Sequence, residues 1–368
     1  MKFVWRPVAA AVAALFALVT VAQPAHADDA AEHAAIIERL IAKGSANSLA
    51  TAALLKQFGE ESDRGSYPLI TRAVQLAPER RDLAWLAVRL CASSSDCDDS
   101  VPEKHLRDVD PTNGIRSIGA LTRAQRKNDA AAIDAALTAM GSAERFYVYF
   151  DPLVAATATE LVEARDQGSN HRAEPVQRSG AARPAASAQV AAVGQSAASA
   201  QAVPPVTPLD SAVPSRKELS RATVEMIGAI AASVLPPSQS FSYSCKGLAL
   251  EQVSGRLERC RRAAQAIARA DTFIVEGLGL SLQQRLWPED SPEGRSITAQ
   301  RRVFQYRLEE YSRLDISSSK LDEFPADALN AFRAHEREQD VALAYFAKAG
   351  VPVDPPANWT SRSLPRVP

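Results

Sequence analysis

Apolar residues recur three and four positions apart along most of the chain, and they seldom alternate as they would in a half-buried strand. Ala34, Ile37, Leu40 and Ile41 form a helical stripe that stops at Gly44. Leu49, Ala53 and Leu54 form the next, ending near Gly59. Leu69 to Leu76, Leu83 to Leu90, Ile115 to Leu121 and Ala130 to Met140 continue the series. Each helix is too short to persist alone, so stacked hairpins are the economical arrangement. Farther along, Leu219, Thr223, Met226, Ile230 and Val234 mark one helix face that Pro236-Pro237 ends. Val253, Leu257, Cys260, Ala264 and Ile267 alternate fours and threes, the spacing of a bundle seam. Asp271 falls where that seam would continue, and we expect it to cap a fresh helix running to Trp287 rather than to sit buried and charged. Ser291-Pro292-Glu293 reads as a further helix start, with Ile297, Phe304, Leu308 and Tyr311 facing inward. Pro325 opens a last helix carrying Leu329, Phe332, Leu343 and Phe346. The pattern predicts an all-α fold: an N-terminal helical-hairpin domain over 28–166 and a C-terminal helical bundle over 216–350.

The periodicity fails in three places. Residues 1–27 combine Lys2 and Arg6 with an uncharged run from Val8 to Val21 and the small-x-small site Ala25-His26-Ala27, the three parts of an export signal. That run reaches only about 21 Å as a helix, short of a bilayer core of roughly 30 Å, so cleavage after Ala27 is expected rather than stable membrane insertion. Residues 167–215 are built of Ala, Ser, Pro, Gln, Val and Gly without an aromatic, and read as a disordered Ala/Pro/Ser-rich linker. Residues 351–368 read as a Pro-rich flexible tail.

Composition narrows the compartment and the partners. Sixty-nine residues are Ala and 33 of the 42 basic residues are Arg, usage that points to a high-GC bacterium and hence to a periplasmic or secreted destination. Forty-two basic against 43 acidic residues argue against a nucleic-acid binder. Loss of Lys2 and Arg6 with the signal takes the formal charge from −1 to −3, and the acidity is concentrated in 28–166. All four cysteines fall in the mature part, and an even number in an exported chain reads as disulfides. Local pairing of Cys91 with Cys97 and of Cys245 with Cys260 needs the smallest search; spacing leaves the other two connectivities open.

A family resemblance is carried by the stretch Ala73-Val74-Gln75-Leu76-Ala77-Pro78 and the following Asp82-Leu83-Ala84-Trp85-Leu86. It resembles the junction of two tetratricopeptide repeats, where one helix ends in a small-x-Leu-x-Pro turn and the next opens with an aromatic residue. Asp110-Pro111-Thr112-Asn113 repeats the turn, and Pro78 and Pro111 lie 33 residues apart against a family period of 34. Asn128-Asp129 with Ala132, Ala136 and Leu137 is similar to the second helix of such a unit. The usual Leu-Gly pair is replaced near Ile118-Gly119-Ala120, and an insertion from Cys91 to Glu103 interrupts the first unit. The resemblance implies a concave surface for a protein or peptide partner, lined by the helices of Trp85 and Ile115, with Tyr147 and Tyr149 near one end and Asp98 and Asp99 contributing the field.

No set of residues specifies a catalytic, cofactor or metal site. Ser317 to Lys320 has the S-x-x-K spacing of penicillin-recognising enzymes without their K-T-G strand. Asp96, Asp98, Asp99 and Glu103 crowd carboxylates, yet Val101 and Arg107 stand where a calcium loop needs glycine and glutamate. His335 to Gln339 lacks the second histidine of a zinc protease helix, and exposed pairing of Arg333 with Glu336 and Arg337 with Asp340 explains those residues equally well. Arg259, Arg261 and Arg262 read as a solvated helix face. Phe146 to Phe150 before Asp151-Pro152 reads as a core plug or as the wall of an aromatic groove. The expectation is an exported, non-enzymatic helical-repeat protein with an unidentified protein or peptide partner. The rival readings are a hydrolase with a site in the C-terminal bundle and a structural or tethered envelope protein.

Overall fold

The computed structural model describes residues 27–57, 65–94, 97–173, 230, 233–236, 238–247, 250, 253–315 and 326–361. The signal-like residues 1–26, most of the expected linker and Ser317 to Lys320 lie outside the described residues, as does Asp96. The fold is all-α; among the described residues the β-type pairing consists of isolated bridges. The first helices are α1 (Ala27–Lys43), α2 (Ala46–Gln57), α3 (Ser66–Leu76), α4 (Arg81–Ala92) and α5 (Ser100–Val109). A 3₁₀ turn (Gly114–Ser117) leads into α6 (Ile118–Arg126), followed by α7 (Ala130–Gly141) and α8 (Phe150–Ala173). The later elements are α9 (Ser238–Ser244), α10 (Arg256–Ile267), α11 (Phe273–Leu286), α12 (Pro292–Asp315), α13 (Ala326–Ala334) and α14 (Glu338–Ala349).

Neighbours in sequence pack as neighbours in space from α1 through α5, and α8 returns to cover α1 and α2. Lys43 at the end of α1 holds Glu160 of α8 at 2.9 Å. The two X-Pro turns 33 residues apart share one geometry. Ala77 closes α3 with φ −142° and ψ 68°, its N–H returning to the Ala73 carbonyl; Asp110 closes α5 with φ −140° and ψ 66°, its N–H returning to Leu106. Proline at the next position removes the donor that would continue each helix. Asp129 caps α7 by accepting from Ala132 N at 3.0 Å.

The regions on either side of 167–215 share one hydrophobic core, running from Leu49 and Trp85 through Phe146 and Phe241 to Ile267 and Phe346. Helix α7 packs directly on α10. A Cβ on Gly141 would stand 2.7 Å from the Arg262 Cβ, so this crossing requires a residue without a side chain. Arg256 and Arg259 of α10 both ion-pair with Asp134 of α7, and Arg261 donates to the Leu286 carbonyl at the end of α11 at 3.0 Å. Of the arginine face expected in solvent, Arg259 and Arg261 are therefore spent on neighbouring helices, while Arg262 stays exposed and pairs with Glu258 of its own helix. The cysteines pair locally, Cys91 with Cys97 and Cys245 with Cys260, at Cα separations of 5.4 and 5.7 Å. The second bridge ties α9 to α10, and α9 reaches α6 through Thr122 and Ser240 at 3.0 Å.

Several sequence expectations require correction. Helix α8 runs to Ala173, past the boundary expected at Gln167. The last helix is two, because residues 335–337 leave helical geometry between α13 and α14; Arg333 there donates to Thr159 of α8 instead of pairing along its own helix. Leu257, placed in the bundle seam, is 37 % exposed, since α10 begins only at Arg256. Residues 351–361 are not loose: Tyr306 Oη donates to the Pro352 carbonyl at 3.0 Å, Arg302 to that of Pro356 at 2.6 Å, and Trp359 packs edge-on against Tyr306. The α12 side chains supply donors to the carbonyls of this segment, those of Val353 and Ala357 as well as of the two prolines.

Candidate functional site

The polar chemistry of the described residues converges where the segment Ala143–Tyr149 passes between two turns. On one side is the Asp110–Gly114 turn. Gly114 N donates to the Arg145 carbonyl at 2.9 Å, and Glu144 N to that of Thr112 at 3.1 Å. The Asn113 side chain accepts from Tyr147 N at 3.0 Å and donates to the Tyr147 carbonyl at 2.9 Å, while its oxygen also caps the 3₁₀ turn at Ile115 N. On the other side is the α10–α11 connection. Asp271 accepts from Val148 N at 2.9 Å and from Tyr149 N at 2.7 Å, and Arg269 donates to the Ala143 carbonyl at 3.1 Å. Its own carbonyl accepts Glu338 N at 2.8 Å, which seats the start of α14 on the same turn. Phe146 and Val148 are fully buried and Phe146 packs edge-on against Phe241, so the aromatic run is a core plug at alternate positions.

Tyr149 holds a left-handed backbone, φ 59°, rare for a bulky residue. Three contacts hold it there: its N–H on Asp271, its carbonyl on Leu153 N, and its hydroxyl on Asp110. Asp110 is fully buried and is met by both the Tyr149 hydroxyl and the Arg145 guanidinium. Burial and the neighbouring Asp110 carboxylate push the Tyr149 phenol well above its ordinary range, so it serves as a fixed neutral donor. Arg145 also lies 5.5 Å over the Tyr147 ring.

Against this triad lies a shallow cleft of ≈ 200 Å³ between the α3–α4 turn and residues 145–152. Its lining pairs Arg80, Arg81 and Arg145 with Glu79, Asp82 and Glu336, around Tyr149 and Pro152. Arg80 is committed to Asp82 and, at 3.0 Å, to Asn47. Glu79, Arg81 and Glu336 are exposed. A second acidic group sits behind the Tyr149 backbone. Asp151 and Asp271 are each 1 % exposed, and neither oxygen of Asp151 has a hydrogen-bond partner among the described residues. Burial, with Glu338, Asp271 and Asp340 nearby, pushes Asp151 well above the carboxylate range, and burial raises Asp271 to about 7.

No protein-family model, curated protein or solved structure matches this chain. The reading of the site therefore rests on its own geometry. Among the described residues no group of His, Cys, Asp and Glu has an arrangement that could hold a metal ion, and no helix is long and apolar enough to cross a membrane.

The residues expected to line a concave surface take different places. Trp85 and Ile115 are wholly buried. The Trp85 indole donates to the Val234 carbonyl at 3.0 Å and Arg89, one turn on, donates to that of Ser233 at 2.8 Å, so the chain's own 233–236 segment covers this face of α4. Their expected role as exposed lining is thus corrected: the face of α4 that carries Trp85 is already covered by the helical residues Ser233 and Val234. Tyr149 reaches the cleft and half-buried Tyr147 stands beside it. Asp98 is exposed and N-terminal to α5, accepting from Ser100 N at 3.0 Å. Asp99 is held by Arg123 at 2.8 Å, an arginine that also clamps buried Glu103. Asp271 is not the cap of α11; Thr272 is, and the aspartate turns inward. Sequence reasoning missed Asp110, Arg145 and Glu336. The available signal was the repeat of an X-Pro turn with a charged residue in place of alanine.

Proposed function

We propose that this chain is an exported, non-enzymatic helical-repeat protein that acts as a protein–protein interaction module in the bacterial envelope, and that an extended polar segment of the partner docks in the cleft beside Tyr149. The observation that carries this reading is the cleft's lining: exposed Glu79, Arg81 and Glu336 ring a wall whose polar groups are already fixed by Asp110, Asp82 and Asn47. Such preorganised, mixed charges favour a partner with matched charges and cost little ordering entropy on binding. Matched X-Pro turns 33 residues apart support a tetratricopeptide-like hairpin relationship, and two disulfides support an oxidising compartment. The buried carboxyls bear on the fold rather than on a substrate, because Asp110, Asp151 and Asp271 are closed to the cleft.

The test places a photo-crosslinking residue at position 81 or 336 of the full-length chain in its native cells, with exposed position 295 as the distant control. A discrete adduct at the first two positions, lost when Glu79 and Glu336 are both reversed to Lys, is the expected result. Adducts at position 295 alone, or substrate turnover by the purified chain, would replace this reading with a site in the later helices or with an enzyme.

A further inference from the structure

A second docking surface of this molecule is already filled by the chain itself. Gly350, at φ 67°, ends α14, and residues 351–361 then lie as a strap along α12. Tyr306 Oη donates to the Pro352 carbonyl at 3.0 Å and Arg307 Nε to that of Val353 at 3.2 Å. One terminal nitrogen of Arg302 stands 2.6, 3.1 and 3.3 Å from the carbonyls of Pro356, Ala357 and Trp359. Those carbonyls converge because Trp359 N closes a turn on the Pro356 carbonyl at 2.9 Å. The turn also sets the Trp359 ring edge-on against Tyr306 at 5.5 Å, with the Arg302 guanidinium over it at 5.8 Å.

The two sides of this contact are unequal. On α12 the donors are fixed in advance: Arg302 and Tyr306 are one turn apart on a 24-residue helix, and the Tyr306 ring is held between Trp359 and Phe346. On the strap, the side chains from Pro352 to Asn358 are exposed apart from half-buried Pro355. Asp354 pairs with Arg307 at 3.7 Å, but its side chain is 80 % exposed and such a pair contributes little. Beyond the turn Ser361 reaches Glu309. The helix therefore reads the course of a backbone and one aromatic ring, and leaves most side chains of the segment unread. A proline-rich chain suits that reading. It is stiff and extended before it docks, so little ordering entropy is lost, and its carbonyls stay open to outside donors. The strap carries Pro352, Pro355, Pro356 and Trp359, the pattern Pro-x-x-Pro-Pro-x-x-Trp.

We propose that the face of α12 carrying Arg302, Tyr306 and Arg307 is a receptor for a proline-rich segment of a partner protein with this pattern, and that residues 351–361 are an internal ligand which the partner displaces. Displacement exchanges like for like at the carbonyls, and the exposed side chains of the strap lose few contacts by leaving. A second copy offers only the same strap, at a lower effective concentration than the one already attached; a different protein competes through what flanks the pattern. The face shares no residue with the lining of the cleft at Tyr149, so neither reading depends on the other.

Fluorescence anisotropy of two labelled peptides with the full-length chain tests the receptor. One peptide has the sequence of residues 351–361; the other keeps the pattern alone, as Pro-Ala-Ala-Pro-Pro-Ala-Ala-Trp. Trp359→Ala weakens the internal ligand and leaves α12 intact, so both peptides should bind this variant about tenfold or more tightly than they bind the wild type. Adding Arg302→Ala should abolish the gain. Adding Tyr306→Phe, which keeps the ring and removes one donor, should weaken binding by about two- to tenfold, and it decides the matter if the Arg302 variant loses its helical circular dichroism. Any of three results overturns the proposal: no gain with Trp359→Ala, a gain indifferent to both α12 substitutions, or binding of the 351–361 sequence without the pattern peptide, which would make the strap a private structural contact. Concentration-dependent dimers that Trp359→Ala abolishes would overturn it too, by seating the strap of a second copy on this face.

Discussion

Two buried acids flank Tyr149 and are stabilised by opposite means. Asp110 in front of the residue is fully buried as a charge, because the Arg145 guanidinium and the Tyr149 hydroxyl both meet it. Asp151 behind it has the same burial and none of that compensation; a bound proton must do what the guanidinium does for Asp110. On one side of Tyr149, Asp110 and its two partners set the wall of the cleft. On the other, Asp271 takes the Val148 and Tyr149 amides and its carbonyl takes the first amide of α14, which seats that wall on the later helices. The comparison teaches that burial alone does not define a carboxylate's role; the donors around it do.

The largest effect should come from removing the counter-charge. Arg145→Ala leaves Asp110 buried and uncompensated and should cost about 3–5 kcal/mol, read as a lower urea midpoint with unchanged slope. Next comes Tyr149→Phe, which deletes the donor to Asp110 and the acceptor for Asn113. About 1–3 kcal/mol is expected, with the 233–236 contacts of Trp85 retained as judged by tryptophan fluorescence.

The sharpest form of the comparison is a pair of identical substitutions with opposite signs. Asp110→Asn should destabilise by about 1–3 kcal/mol because it removes a charge that is paired. Asp151→Asn should stabilise the chain at pH 8 by about 1 kcal/mol because burying the acid at that pH requires it to take up a proton, which the amide does not need. Equal signs in parallel urea titrations would mean that the two acids are not held by different means.

Much of this fold was legible locally and little of the junction was. Hairpin helices and the ends of α3 and α5 at Pro78 and Pro111 follow from periodicity and proline chemistry, and the local disulfides are the pairing that short spacing favours without excluding the others. Asp271 misled because aspartate before an apolar run is a strong cap signal. Thr272 takes the cap one residue later, and the aspartate is claimed by amides more than 120 residues away in sequence. Trp85 misled for a related reason. Aromatic placement at a helix opening fits a concave lining, but nothing local announces that Val234, 149 residues on, will occupy that face. The α13–α14 break has no proline or glycine to mark it; Glu338, whose N–H binds the Asp271 carbonyl and whose side chain accepts from Phe273 N, restarts the helix there.

The smallest expected effects separate two adjacent aspartates that the sequence treats alike. Asp99 forms an ion pair with Arg123 at 2.8 Å, but both side chains remain partly exposed, so the pair should contribute within the ordinary surface range of about 0.2–1 kcal/mol. Reversing it to Lys also sets a cation beside Arg123, whose main commitment is to buried Glu103. Asp99→Lys should therefore lower the urea midpoint slightly and more so at low salt, where the repulsion is least screened. Asp98 is fully exposed and bonds only to the start of α5, so Asp98→Lys should leave the urea midpoint unchanged within error. Its effect belongs to the field around the acidic half of the chain. A partner carrying basic groups should associate more slowly with Asp98→Lys at low salt and at nearly wild-type rate at high salt, with dissociation unaltered. A change in dissociation at Asp98 would place this aspartate inside the contact itself, and would move the docking surface from the cleft at Tyr149 toward the loop closed by Cys91 and Cys97.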